Sequence, residues 1–161
     1  MGIILFSGPL LALPTDRDQS VLLNADEIEF DEKSQTITYS GSVVMEQGSM
    51  RINAEKMVIH TESDKVVKVI ATGSPAHYRQ LPAVDQEPVL AKANRLEYQV
   101  DQGTLHLINN ASLVQEGTSL SGNRIDYDVK KSIVRASSDN GEGPKERVRM
   151  VIPPKSISGQ D

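Results

Sequence analysis

This sequence contains neither cysteine nor tryptophan, and only 4% of it is aromatic. The missing thiols exclude disulfides, thiolate metal sites and a cysteine nucleophile. With so few rings, the interior is left to Ile, Val, Leu and Met, which suits a β-sheet core or a surface shaped for aliphatic chains. Basic residues are not in excess either. The formal charge is -5 and the isoelectric point near 5.2, so the basic stripe that accompanies nucleic-acid binding is not expected. The sequence has no apolar run long enough to span a bilayer. The longest, Gly2 to Leu13, has the length of a signal-peptide h-region and passes at once into the polar stretch after Pro14. It lacks a basic n-region, so the expectation is a secretory leader whose start is truncated or mis-assigned, cut near Ala12.

With 161 residues, 38% apolar and 24% charged, the chain fits one globular domain. The expected boundaries are a leader remnant over residues 1–13, a β domain over 14–154 and a flexible tail over 155–161.

Self-similarity carries most of the information. Four segments share one pattern: Leu23-Asn-Ala-Asp-Glu-Ile-Glu-Phe30, Ile52-Asn-Ala-Glu-Lys-Met-Val-Ile59, Ala91-Lys-Ala-Asn-Arg-Leu-Glu-Tyr98 and Leu120-Ser-Gly-Asn-Arg-Ile-Asp-Tyr127. Their starts are spaced by 29, 39 and 29 residues, which implies two similar halves offset by 68. Within each copy the apolar positions alternate on one parity, as at Val21, Leu23 and Ala25, and then on the other, as at Ile28 and Phe30. A β-bulge at the intervening polar pair would return both sets to one face. Helix competes for these short stretches, but each copy is followed by a turn cluster and an alternating β-branched run, such as Thr36-Ile-Thr-Tyr39 or Thr104-Leu-His-Leu107. Punctuation at Gly41, Gln47-Gly48, Gly73-Ser-Pro75, Asn109-Asn110 and Glu116-Gly117 divides the rest, predicting roughly a dozen to sixteen short antiparallel strands. Residues 81–88 and 137–144 read as loops. An antiparallel ladder with one apolar face must fold into a sandwich, a barrel or a sheet bent on itself.

Chemistry-bearing groups are not arranged for catalysis. His60, His77 and His106 stand 17 and 29 residues apart, without metal-ligand spacing. The acidic cluster Asp26, Glu27, Glu29, Asp31 and Glu32 alternates around Ile28 and Phe30, so it reads as a solvated face rather than as a carboxylate pair or calcium site. We expect no catalytic residue, no metal and no cofactor. A sugar-active β-repeat enzyme is the rival from another class, but it would need inward carboxylates where this chain has aliphatics. A structural or scaffolding β-repeat protein of the cell envelope that carries no lipid is the alternative sharing the fold.

Taken together, the four copies, Tyr39-Ser-Gly-Ser-Val-Val-Met-Glu-Gln-Gly48 leading into Ile52, Gly73-Ser-Pro-Ala-His-Tyr78, and Val114-Gln-Glu-Gly117 resemble the LptA/OstA-like family of periplasmic lipopolysaccharide-transport proteins, over about residues 14–154. The resemblance implies a twisted, incompletely closed antiparallel β-jelly roll with acyl chains of lipid A in its slot. It implies lipid contacts at Val21, Leu23, Tyr78, Tyr98 and Val100, with Phe30 and Leu96 of the repeat copies as further candidates. It also implies head-to-tail self-assembly, an inner-membrane-anchored LptC-like partner at the N-terminal edge, and an outer-membrane LptD-like translocon at the C-terminal edge. The sequence itself supplies two candidate edges. Val21, Leu22 and Leu23 lie on a first strand without Pro or charge, and Val148, Met150 and Ile152 alternate on the last.

Overall fold

A computed structural model of the chain describes residue 16, residues 18–138 and residues 145–154. The expected leader and its cleavage site, the tail from residue 155, and residues 139–144 of the expected second loop lie outside the described residues. Among the described residues ten strands form one antiparallel sheet: β1 (Leu22–Asn24), β2 (Glu27–Asp31), β3 (Thr36–Gln47), β4 (Met50–Glu62), β5 (Lys65–Gln80), β6 (Val89–Gln99), β7 (Thr104–Gln115), β8 (Thr118–Asp128), β9 (Ile133–Ser137) and β10 (Arg149–Val151). Strands β3 to β8 follow one another as a meander. β1 and β2 both pair with β3, and β9 and β10 both pair with β8. The two ends of the sheet do not pair with each other, so it is not closed.

The strand count corrects the sequence expectation, and the reason is local. Gly41, Gly73-Ser-Pro75 and Asn109-Asn110 are not turns but extra residues inside long strands, where the ladder register shifts. Gly41 and Ser42 in β3, and Asn109 and Asn110 in β7, all have positive φ, so one bulge recurs at the same place in the two halves. The bulge was also expected on the wrong strand. The extra residues sit on β3, β5 and β7, opposite the polar pairs of the repeat copies. The irregularities nonetheless line up into a seam across the whole sheet, and the break between β1 and β2 continues it. At that break the Asp26 amide donates to the carbonyls of Ser40 and Gly41 at 3.1 and 3.0 Å. A Cβ on Gly41 would meet the Asp26 carboxylate at 2.3 Å, so the seam requires glycine there.

True turns fall where two residues take hairpin geometry. Gly48 opens the β3–β4 turn at φ 57, and Ser63-Asp64 and Glu116-Gly117 are both left-handed throughout. β3 and β7 are the same length and 68 residues apart, and so are the starts of β4 and β8.

One face of this sheet is buried. Ile52, Met57 and Ile59 of β4, Val69 of β5, Leu96 of β6, Leu105 and Leu107 of β7 and Ile125 of β8 are shielded from solvent. No α-helix is present among the described residues to cover them. The sheet therefore covers itself, bending along its own inner face. Leu107 is fully buried at the centre of this cluster. Leu107→Ala should lower unfolding stability by about 2–5 kcal/mol, read from the denaturant midpoint at constant slope.

Candidate functional site

Core side chains such as Ile59 and Val69, together with half-buried and exposed neighbours, line a cleft of about 400 Å³ on the inner face. Val21 and Leu23, from the segment that forms β1, make one wall. Ile37, Tyr39 and Met45 of β3 and Met50 and Ile59 of β4 continue it, and Val66, Val69, Tyr98 and Val100 close the far side. Among the described residues of this lining, Gln47 is the only one whose side chain carries an amide or charge. The cleft runs the length of the strands, from the β3–β4 turn beside Gln47 and Met50 to the opposite end beside Val66 and Val100. A second, more polar cleft of about 460 Å³ lies at the C-terminal end of the sheet, lined by Leu113, Gln115, Glu116, Thr118, Leu120, Val134 and Met150. Leu113, Gln115 and Thr118 are the 68-residue equivalents of Met45, Gln47 and Met50, so the repeat builds a cleft twice.

The structure brings together Val21, Leu23, Tyr98 and Val100 of the seven residues singled out from sequence. The other three are placed differently. Tyr78 and Leu96 are 2% and 1% exposed and belong to the closed core, because the alanines around them on β5 and β6 let the sheet pack tightly there. Burial pushes the Tyr78 phenol well above its ordinary range, and its hydroxyl donates to Gln80 rather than into the cleft. Phe30 is 60% exposed on the edge strand β2, beside Ile28 at 64%. Eight further residues line the cleft: Ile37, Tyr39, Met45, Gln47, Met50, Ile59, Val66 and Val69. Alternation places most of them on the inner face, and the signal the sequence lacks is which inner positions border open space.

The polar groups lie elsewhere. On the outer face Asp126 is bonded to Arg124 at 3.0 Å and to His106 at 2.5 Å. Partial burial raises the Asp126 pKa, but those two partners outweigh it and hold the carboxyl below its ordinary value. Arg95 is bonded to Glu97 on the same face. Among the described residues no group of three or more His, Asp or Glu is arranged to hold a metal ion.

Residues 22–133 match the family model of the LptA/(LptD N-terminal domain) LPS transport protein. The chain belongs to this LptA family. It is 36% identical over 153 residues to the lipopolysaccharide export system protein LptH of Pseudomonas aeruginosa, covering 92% of this chain and 87% of that protein. Identity is 35% over 158 residues to the lipopolysaccharide export system protein LptA of Haemophilus influenzae, covering 96% and 89%. The crystal structure of P. aeruginosa LptH, described as the LptA-homologous periplasmic component of the lipopolysaccharide transport device, superposes with a TM-score of 0.82 at 34% identity. That superposition covers 88% of this chain and all of the other. The incompletely closed all-β sheet is thus the architecture of an LptA-family member, and the cleft lies on its inner face.

Proposed function

We propose that this chain carries lipopolysaccharide across the periplasm without catalysis, holding acyl chains in the cleft between β1 and β6. The observation that carries this reading is the aliphatic lining. The cleft falls within the roughly 300–1,000 Å³ usual for ligand sites, and apart from Gln47 and the hydroxyls of Tyr39 and Tyr98 its described walls are apolar, which suits an acyl chain better than a sugar or nucleotide. Each acyl methylene moved from water into it contributes about 0.8 kcal/mol before ordering costs. The LptH and LptA relatives are lipopolysaccharide export system proteins by name, which supports the same reading. A purely structural role leaves an apolar cleft of this size without a use.

A photo-crosslinker at Leu23 or Tyr98 should capture lipopolysaccharide in cells with an outer membrane. Glu97 is the control, since it precedes Tyr98 on β6 and is bonded to Arg95 on the outer face. Capture at Glu97 but at neither cleft position would overturn the proposal.

The edges support head-to-tail assembly. The N-terminal edge is β1 followed by β2, and the C-terminal edge is β10 and β9. β2 carries Glu27, Glu29 and Asp31, while Arg135 lies on β9 and Arg149 on β10. Val21, Leu22, Val148, Met150 and Ile152 are exposed there, and Leu23 is half-buried by the cleft. The true end strands are shorter than expected, because only Leu22–Asn24 and Arg149–Val151 find partners on β3 and β8. β2 and β9, not foreseen as edges, carry more of the free ladder. We assign the N-terminal edge to an inner-membrane-anchored LptC-like partner and the C-terminal edge to an LptD-like translocon, with further copies of the chain between them.

A further inference from the structure

We infer that the described residues ahead of β1, Asp16 and residues 18–21, are a latched strap closing the β3–β4 end of the cleft, with Asp16 as its latch. The inference rests on the acyl-chain reading of the cleft. Asp16 is 5% exposed although it is a carboxylate close to the chain's N-terminal end. Burying such a group is costly unless its hydrogen bonds are met. Here they are met by neutral partners at one place. The Ser49 amide donates to Oδ1 at 2.9 Å, the Ser49 hydroxyl donates to Oδ2 at 2.5 Å, and Gln80 Nε2 reaches Oδ2 at 3.4 Å. Ser49 Oγ in turn accepts the Leu81 amide at 3.2 Å. One side chain therefore ties the N-terminal segment both to the β3–β4 turn and to the end of β5.

The turn is shaped for this contact. A Cβ on Gly48 would lie 2.1 Å from Asp16 Oδ1 and 2.9 Å from its Cα, and the residue has φ +57. No other residue type fits under the strap. Gln47, which lines the cleft, donates from Nε2 to the Gln19 carbonyl at 3.1 Å, a second stitch at the same end. Past these anchors the same segment contributes Val21 and Leu23 to the cleft wall. A ligand chain lying there touches the strap directly, so releasing Asp16 should open the wall and that end together. Asp16 acts as a positioning residue, since it lines no part of the cleft itself.

The test uses the full chain and cis-parinaric acid, a fluorescent fatty acid, with its dissociation followed by stopped flow. Hydrogen exchange at residues 18–24 reports the strap, and exchange in β4 to β8 reports the fold. Asp16→Ala removes the latch, and Gly48→Ala displaces it from the turn side. Both are expected to speed exchange of the strap and to make the probe leave about tenfold faster, with β4 to β8 still protected. Asp16→Asn, which keeps one acceptor for the Ser49 amide, should fall between them and the native chain. The inference is overturned if Asp16→Ala leaves strap exchange unchanged, or if the strap is released while the probe's dissociation rate stays the same. If the native chain binds no probe, the acyl-chain reading falls and the strap inference with it. Binding by the native chain with indifferent variants removes only the latter.

Discussion

Tyr98→Asp should weaken binding of a myristate probe roughly 100-fold while leaving the sheet intact. Tyr98 is half-buried, lines the far wall of the cleft and pairs with Val69 and Leu105 on its two neighbouring strands. Its ring meets both the core and the open space. A carboxylate there would have to give up water whenever an acyl chain entered, at a cost of several kcal/mol unless it took up a proton. In the empty protein the same group can stay hydrated from the cleft, so folding is spared. The measurement is a fluorescence titration paired with a denaturation midpoint. Glu97→Gln, on the outer face, is the matched control and should bind as the native chain does. Equal affinities for Tyr98→Asp and Glu97→Gln would show that the cleft is not where the chain lies.

Arg135→Glu should weaken self-association at least tenfold, and adding Glu29→Arg in the same chain should restore it. This residue pairing comes from the repeat inside the molecule. The first and third copies are equivalent, so β6 stands for β1 and β2, and the strand after β4 stands for the one after β8. Across β4, Ile70 faces Val58, and across β8, Arg135 faces Asp126, the 68-residue equivalent of Val58. Inside the chain Ile70, Ala71 and Val69 pair with Glu97, Leu96 and Tyr98. Transposed to two molecules, Arg135 faces Glu29, Ala136 faces Ile28 and Val134 faces Phe30. The exposed apolar pair of β2 then extends the inner face, and its acids meet the basic strand outside. The same transposition sets Met150 opposite Leu23. Sedimentation at several concentrations reads the result. Deletion from Lys145 onward removes β10 but leaves β9, so it should weaken association without reaching the monomer that a fully stripped edge would give. Unchanged association in Arg135→Glu would rule this register out.

Strand identity was legible wherever side-chain alternation met a buried face. Ile52, Met57 and Ile59 were placed correctly because parity follows from which residues can leave water. The 68-residue period was legible for the same reason. Strand number was not, because Gly41 and Asn109-Asn110 carry the composition of turns and the conformation of bulges, and only partner strands on both sides decide between them. The cleft was half legible. Leu23 and Tyr98 share an inner face with Tyr78 and Leu96, and no periodicity says which inner residue the bent sheet will cover. Asp16 was invisible for another reason: its partners Ser49 and Gln80 are 33 and 64 residues away, and a polar residue near a chain end reads as solvent-exposed.

The seam between β1 and β2 bears on a hazard that every open sheet carries. A free, unbroken edge recruits any extended peptide, and in a crowded compartment that leads to amyloid-like growth. Here each edge is notched. On one side five paired residues of β2 and three of β1 are separated by Ala25-Asp26, and on the other β9 ends at Ser137 before β10 begins at Arg149. A foreign strand can lie along one short stretch but must break its ladder at the notch, whereas another copy of this chain brings a matching break. The notch works like the wards of a key. It admits the partner that shares the pattern and makes continuous growth by misfolded neighbours unfavourable, with no gatekeeping proline on either strand flanking it.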